Sequence, residues 1–190
     1  ATLQTLRLIE KRVPCGENEK SKKSIYIIKD NFLKFWFRYE FTNNAYYAML
    51  GANEAAKEIM ADISNLMGDA LEGICKEYLI RQAKKRRLPL IPYSIGKWWG
   101  TNPILKAQDD VDVLALDKSQ SQAIFMECKF TGTPMPLKEY EDLINATKAF
   151  PKIKKKYLYF VSKSGYTEPV KRQAQIDQAI LLEIDDLFTE

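Results

Sequence analysis

Two apolar stretches separated by a short polar turn constrain this chain more than anything else in it. Val111-Asp112-Val113-Leu114-Ala115-Leu116 leads through residues 117–122 into Ala123-Ile124-Phe125-Met126-Glu127-Cys128-Lys129-Phe130. Each arm is apolar on both faces, the pattern of a central strand covered on each side, and the Asp, Lys, Ser and Gln between them supply a turn. The expected element is a buried antiparallel hairpin. If Leu116 pairs with Ala123, the register runs back to Asp112 opposite Glu127, with Cβ atoms about 5 Å apart and both side chains on one face. Period-two alternation puts Lys129 on the face of Glu127 and turns Cys128 away. Two carboxylates and an ammonium are thus expected to converge, with Asp110 as a further acid on the face of Asp112.

Paired acids in a half-buried place repel each other and lose hydration. Two arrangements relieve that cost: a structural ion pair with Lys129, or a divalent cation, since Mg²⁺ takes oxygen ligands and needs only one or two carboxylates. Asp112 followed on the next strand by Glu127-x-Lys129 resembles the core of the PD-(D/E)xK nuclease superfamily. The resemblance implies Asp112 and Glu127 as ligands of Mg²⁺ (or Mn²⁺) and Lys129 as a catalytic residue.

Upstream, the segment 64–84 carries an apolar stripe of Met67, Ala70, Leu71, Ile74, Cys75, Tyr78 and Leu79 at helical spacing, with Glu72 at its margin. An exposed helical glutamate is the ordinary explanation. Gly68-x-x-Leu71-Glu72-x-x-Cys75-x-Glu77-Tyr78-Leu79 resembles the first core helix of the same nuclease-like domain, which implies Glu72 as the third member of the catalytic and metal-binding acids. The proline-bearing stretch 88–99 reads as an edge strand. Its Trp98 and Trp99 are expected to bury themselves, although indole rings also stack on bases. Its Gly-Lys-Trp-Trp run also resembles that domain. Beyond the hairpin, 137–150 reads as a helix and 156–161 as a strand, while 179–188 is apolar without an assignable type. A helix joining neighbouring strands favours parallel pairing. The fold class expected is α/β with a restriction-endonuclease-like core: helix, three-stranded antiparallel meander, helix, strand.

The amino-terminal part reads differently. Leu3, Leu6, Leu8 and Ile9 stand at near-helical spacing in the segment from Ala1, ahead of breaks at Pro14 and Gly16. A short strand over residues 25–28 precedes Asp30, which is expected to cap the helix that follows. Phe32, Leu33, Phe35, Trp36, Phe37, Tyr39 and Phe41 then crowd a helix too apolar all round to stand in water, so core packing is expected. Further helix follows over 44–60 around Gly51. Helix, loop, strand and aromatic helix, with Tyr26-x-Ile28-x-Asp30 followed by Phe35-Trp36-Phe37, resemble the tail of a winged-helix segment in archaeal-type AAA ATPases, in which a nuclease-like domain follows. That implies a remnant at 1–60, a nuclease-like domain at 61–190, and an ATPase module of the same protein as partner. The nucleotide site would lie elsewhere: Gly68-Asp69-Ala70-Leu71-Glu72-Gly73 has the glycine spacing of a P-loop, but Ile74-Cys75 replaces the required Lys and Ser/Thr.

The chain contains no histidine, which removes His triads, His-Cys dyads and His-ligated metals. Cys15, Cys75 and Cys128 are odd in number and lack paired spacing, as expected of a reducing cytoplasm. No stretch is apolar enough for membrane insertion. With 29 basic against 25 acidic residues the net charge says little, but its clustering says more. Lys84, Lys85, Arg86 and Arg87 form one dense run and Lys152, Lys154, Lys155 and Lys156 another, each either a solvated face or a phosphate-binding surface. Both are expected to flank the sheet end that carries Glu127. The function expected is a metal-dependent nuclease-like domain acting on DNA, with self-association left open. The competing expectation is a non-catalytic nucleic-acid-binding or protein-docking appendage of the ATPase.

Overall fold

The structure is a computed structural model and describes residues 2–189; Ala1 of the expected first helix lies outside the described residues. Helix α1 (Thr2–Thr5) is a single turn, and the residues expected to prolong it form strand β1 (Ile9–Arg12), antiparallel to β2 (Ile25–Ile28). Asp30 caps α2 (Asn31–Phe35) as expected, accepting the Leu33 N–H at 2.8 Å. A π turn over Trp36–Phe41 carries the chain into α3 (Thr42–Leu50). The expectation that this aromatic segment is core does not hold. Only Tyr39 is buried among its rings, whereas Phe32 is 70% and Phe41 60% exposed. Trp36, Phe37 and Phe41 pack on one another instead, with centroids 4.8 to 5.4 Å apart, so the rings shield each other without a core beneath them.

Gly51 separates α3 from α4 (Ala52–Lys84), a single helix of 33 residues. The boundary expected at 60/61 therefore falls inside a continuous helix. No glycine at 68 or 73 interrupts it, because the burial of Leu71, Cys75 and Leu79 on the sheet outweighs the local cost of glycine. Strands β3 (Pro92–Asn102), β4 (Ala107–Asp117) and β5 (Gln122–Lys129) follow as an antiparallel meander. The hairpin has the expected register, from Leu116↔Ala123 to Val113↔Met126. Its turn is held by Asp117, whose carboxylate accepts the amides of Ser121 and Gln122 at 2.8 and 2.9 Å.

Helix α5 (Leu137–Ala146) crosses to β6 (Lys155–Ser162), parallel to β5, and α6 (Glu168–Asp177) leads to β7 (Ile180–Glu183), parallel to β6. Helix α6 was not anticipated, and the undecided apolar tail becomes β7 with a 3₁₀ turn after it. The five-stranded sheet runs β3-β4-β5-β6-β7 with β3 at an edge, as its prolines suggested. Helix α4 covers one face over Val113, Ala115, Ile124 and Met126. Helices α5 and α6 cover the other over Leu114, Leu116, Phe125 and Phe160, where Trp98 is buried against Phe150. This mixed α/β arrangement explains why both hairpin arms are apolar on both faces. Among the described residues no helix is long and apolar enough to cross a membrane.

The segment between β1 and β2 is pinned to the sheet edge. The Cys15 N–H donates to the Lys97 carbonyl at 2.9 Å and its thiol to the Leu114 carbonyl at 3.2 Å. Gly16 follows at φ +83°, and a Cβ there would lie 2.7 Å from Leu116 Cδ1. No other residue type meets both conditions without movement.

Candidate functional site

A bulge organises the site. Gly96 pairs with Leu114 and Trp98 with Val111, so Lys97 alone faces both Asp112 and Val113. Val111 and Leu114 consequently both pack towards α5, while Val113 packs towards α4. A bulge re-aims the side chain at its extra residue, and here it turns Asp112 out of strict alternation. Asp112 Oδ1 lies 3.2 Å from Lys97 Nζ, while Oδ2 accepts the Cys128 N–H at 2.9 Å and so ties the carboxylate to the backbone of β5. Glu72 enters from α4 with Oε1 at 2.6 Å from the same ammonium, and Asp110 Oδ2 stands at 3.2 Å. Three carboxylates thus meet on Lys97. The side chains of Glu72 and Asp112 are only 19% and 13% exposed, which makes these interactions less screened than surface pairs.

Glu127 and Lys129 do not join that ammonium. Phe125 packs on the α5 side while Met126 and Cys128 pack on the α4 side, so alternation carries Glu127 and Lys129 towards α5. Lys129 Nζ pairs with Glu139 Oε2 at 2.7 Å. The single face expected for Asp112, Glu127 and Lys129 is therefore corrected: the bulge sets Asp112 towards α4, and the two β5 residues stand on the other side of the same sheet end. Among the described residues the Glu127 carboxyl has neither a hydrogen-bond nor an ion-pair partner. Its pKa is raised well above the ordinary carboxylate range, first by burial and next by the charge of Asp112, with Lys129 opposing.

Glu72 behaves similarly. Burial, then the charge of Asp112, pushes its carboxyl up to about 7 against the pull of Lys97. For Lys97 burial acts in the opposite sense, but Asp112 and Glu72 outweigh it and hold the ammonium above its ordinary pKa. The cluster therefore keeps its cation and tends to keep protons on its flanking acids. Among the described residues no group of three or more His, Cys, Asp and Glu side chains is gathered closely enough to hold a metal ion.

The basic runs are not where they were expected. Lys155 and Lys156 pair with Gln122 and Ala123, whereas Glu127 pairs with Phe160, which leaves about 17 Å of strand between them at roughly 3.3 Å per residue. Lys84 closes α4 about 18 Å along the helix from Glu72, at 1.5 Å per residue. Arg86 and Arg87 border a depression with Tyr157 and Tyr159 at that same far end. A strand parallel to β5 that begins with Lys155 must begin where β5 begins, away from Glu127. Lys156 is also engaged, donating to the Thr147 carbonyl at 2.7 Å.

Around the acids themselves lies a cavity of about 350 Å³, lined by Glu72 and Lys76 of α4, Lys97 and Trp99 of β3, Asp112, and Lys11 and Arg12 of β1. Lys97, Lys76 and Lys11 are not among the site residues expected from the sequence. For Lys97 a signal existed, the one charge in an otherwise uncharged strand, two residues from Ile95. For Lys76 it was the helical spacing from Glu72. Nothing local pointed to β1.

A protein of Methanocaldococcus jannaschii, named as "Uncharacterized protein MJECL04", is 36% identical over 129 residues, a match covering 66% of this chain and 27% of that protein. The match thus spans about a quarter of the curated relative's length. No solved structure matches. A family model described as "Archaea bacterial proteins of unknown function" matches residues 36–141, from the aromatic π turn through all three antiparallel strands and into α5, and the chain belongs to that family, DUF234.

Proposed function

We propose that this end of the sheet is a divalent-cation-dependent site that hydrolyses DNA phosphodiesters, in a domain with the restriction-endonuclease-like core. The order α4, antiparallel β3-β4-β5, α5, parallel β6 supports the core. The observation that carries the reading is the meeting of Glu72, Asp110 and Asp112 on one ammonium, with the unpartnered Glu127 carboxyl across the same sheet end and within reach of the Asp112 charge. An all-oxygen donor set suits Mg²⁺ or Mn²⁺, and Mg²⁺ is ordinarily held by one or two carboxylates, with water and phosphate oxygens completing its shell. On this reading Asp112 and Glu127, from the two sides of one sheet end, would hold such an ion with Glu72 in support, once the Lys97 ammonium gives up the oxygens it now shares, because no group of three acids is gathered for a metal among the described residues. When bound, a divalent cation lowers the pKa of its water and offsets charge developing on the phosphate.

The chain's own residues supply the rest. The Cys128 N–H fixes the Asp112 carboxylate, so that one oxygen keeps a set direction. Lys97 provides positive charge at the other oxygen of that carboxylate, Oδ1, and Lys129, held by Glu139, provides it on the α5 side. Burial, and then the charge of Asp112, raises the Glu127 pKa and so opposes the carboxylate form that a ligand or base needs. On the same reading the domain works alongside an ATPase module of the same protein.

A second reading, a non-catalytic nucleic-acid-binding or docking appendage, is favoured by two observations: Lys97 already neutralises the acids, and Glu139 already engages Lys129. Incubation with supercoiled plasmid and single-stranded DNA, with Mg²⁺ or Mn²⁺, separates the two. Cleavage that requires metal and falls on the order of a hundredfold in both Asp112→Asn and Glu127→Ala is expected. Absence of metal-dependent cleavage, or full activity in Asp112→Asn, would favour the appendage.

A further inference from the structure

We infer that the cavity between α4, β3 and the β1 segment seats a single DNA strand, with Lys76 as its phosphate contact and Trp99 as its base platform. The inference rests on the reading of the ligand as DNA and adds to it the strand form and the residues that hold it. Lys76 lies one helical turn beyond Glu72, so the two project from the same face with Cβ atoms about 6 Å apart. Such a pair would ordinarily bind itself. Here Glu72 is taken by Lys97 at 2.6 Å, which leaves the exposed Lys76 without a hydrogen-bond or ion-pair partner among the described residues. The other cations lining the cavity are engaged: Lys11 donates to the Glu19 carbonyl at 2.8 Å, and Arg12 pairs with Glu10. Lys76 is therefore the cation available to a phosphate, and a phosphate bound there lies next to Glu72 and Asp112.

Trp99 alternates with the buried Trp98 and lines the same cavity, its indole N–H donating to the Lys23 carbonyl at 3.1 Å. With that edge anchored, the ring is held in place as a surface on which a base can stack. The walls are built rather than incidental, because the Cys15 amide and the close fit of Gly16 on Leu116 fix the β1 segment over β3. At about 350 Å³ the space lies at the lower end of small-ligand pockets, enough for one nucleotide unit and too confined for a duplex.

The test measures binding of a short fluorescein-labelled oligothymidine to the full chain in EDTA across a salt series, alongside metal-dependent cleavage. Lys76→Gln is expected to weaken binding about tenfold and to flatten the slope of log affinity against log salt by about 0.7, the contribution of one phosphate contact on a single strand. Trp99→Leu should weaken it about tenfold, and Trp99→Phe should restore most of the loss. Unchanged affinity and slope in Lys76→Gln, or tighter binding of a duplex of the same length, overturns the inference. If both variants lose affinity while wild type cuts nothing with Mg²⁺, the strand seat stands and the phosphodiesterase reading falls. If wild type cuts in an Asp112-dependent way and both variants bind and cut as wild type does, the seat falls and the reading stands.

Discussion

Lys97 Nζ lies 2.6 Å from Glu72 Oε1, and this contact joins the edge strand β3 to the middle of α4 across the mouth of the acid cluster. The same ammonium serves Asp110 and Asp112 at 3.2 Å each, so one side chain compensates three acids from two elements. Removing it should leave largely desolvated carboxylates facing each other. Lys97→Met is expected to destabilise the fold by roughly 2–4 kcal/mol, somewhat below the range for a fully buried pair because the site is partly open to water. Urea denaturation at neutral pH measures this. Adding Asp112→Asn should recover part of the loss, and a double variant no more stable than Lys97→Met would show that the repulsion assigned to Asp112 is absent.

A second consequence concerns cations. If a divalent ion and the Lys97 ammonium use the same oxygens, they compete. Mg²⁺ at a hundredfold excess over its dissociation constant should stabilise the wild type by about 2.7 kcal/mol, and Asp112→Asn should abolish that gain. Lys97→Met, weaker without metal, should gain more from Mg²⁺ than the wild type does. Equal Mg²⁺-induced shifts in thermal melts of wild type, Asp112→Asn and Lys97→Met would remove the carboxylates as ligands.

The pH dependence follows from Glu72. Its carboxyl is raised from 4.5 to about 7 in the folded chain, so the folded state holds the proton more tightly than the unfolded state. The resulting stability is fully present below pH 4.5 and is lost as pH rises through about 7. At about 1.4 kcal/mol per unit this amounts to roughly 3 kcal/mol. Glu72→Gln, which cannot ionise, should lack that fall, so the stability of wild type minus variant should decline between pH 5 and about 7. A difference that rises with pH would mean that Lys97 dominates the carboxylate.

The positions of the basic runs yield a negative prediction. Because Lys154, Lys155 and Lys156 stand at the start of β6, neutralising all three should leave metal affinity and cleavage unchanged. It should shift the salt slope of single-strand binding by less than the roughly 0.7 expected for a single phosphate contact. A flattening of about 2 units in fluorescence anisotropy titrations would return the DNA path to that end of the sheet.

Gly16 offers a test of how the cavity is walled. Gly16→Ala combines a positive φ with a 2.7 Å approach to Leu116 Cδ1, and should cost about 1–3 kcal/mol. The variant should also weaken oligothymidine binding, since the β1 segment can no longer lie flat on β3. Wild-type melting and wild-type binding together would show that the segment does not depend on this contact.

What the sequence determined by itself was the local part. Apolar residues on both faces of 111–116 and 123–130, with Asp117 to hold the turn, specify a central hairpin and its register, because alternation and turn chemistry act within a few residues. The margin position of Glu72 on a helical stripe was legible for the same reason, and so was the N-cap at Asp30. Tertiary structure decided the rest. The bulge opposite Lys97 depends on how β3 docks against β4, and it alone turns Asp112 towards α4 while Glu127 and Lys129 follow β5 towards α5. The apolarity of the aromatic segment said that its rings would avoid water, but not that they would do so mainly on one another. The end of the sheet that receives each lysine run follows from strand direction, a property of the assembled sheet and not of the run. Lys129, close in sequence to Glu127, was expected on the face of Asp112 but pairs with Glu139, whereas Lys97, the ammonium that does meet Asp112 and Glu72, is brought there by the docking of β3 and became visible only when the chain closed on itself.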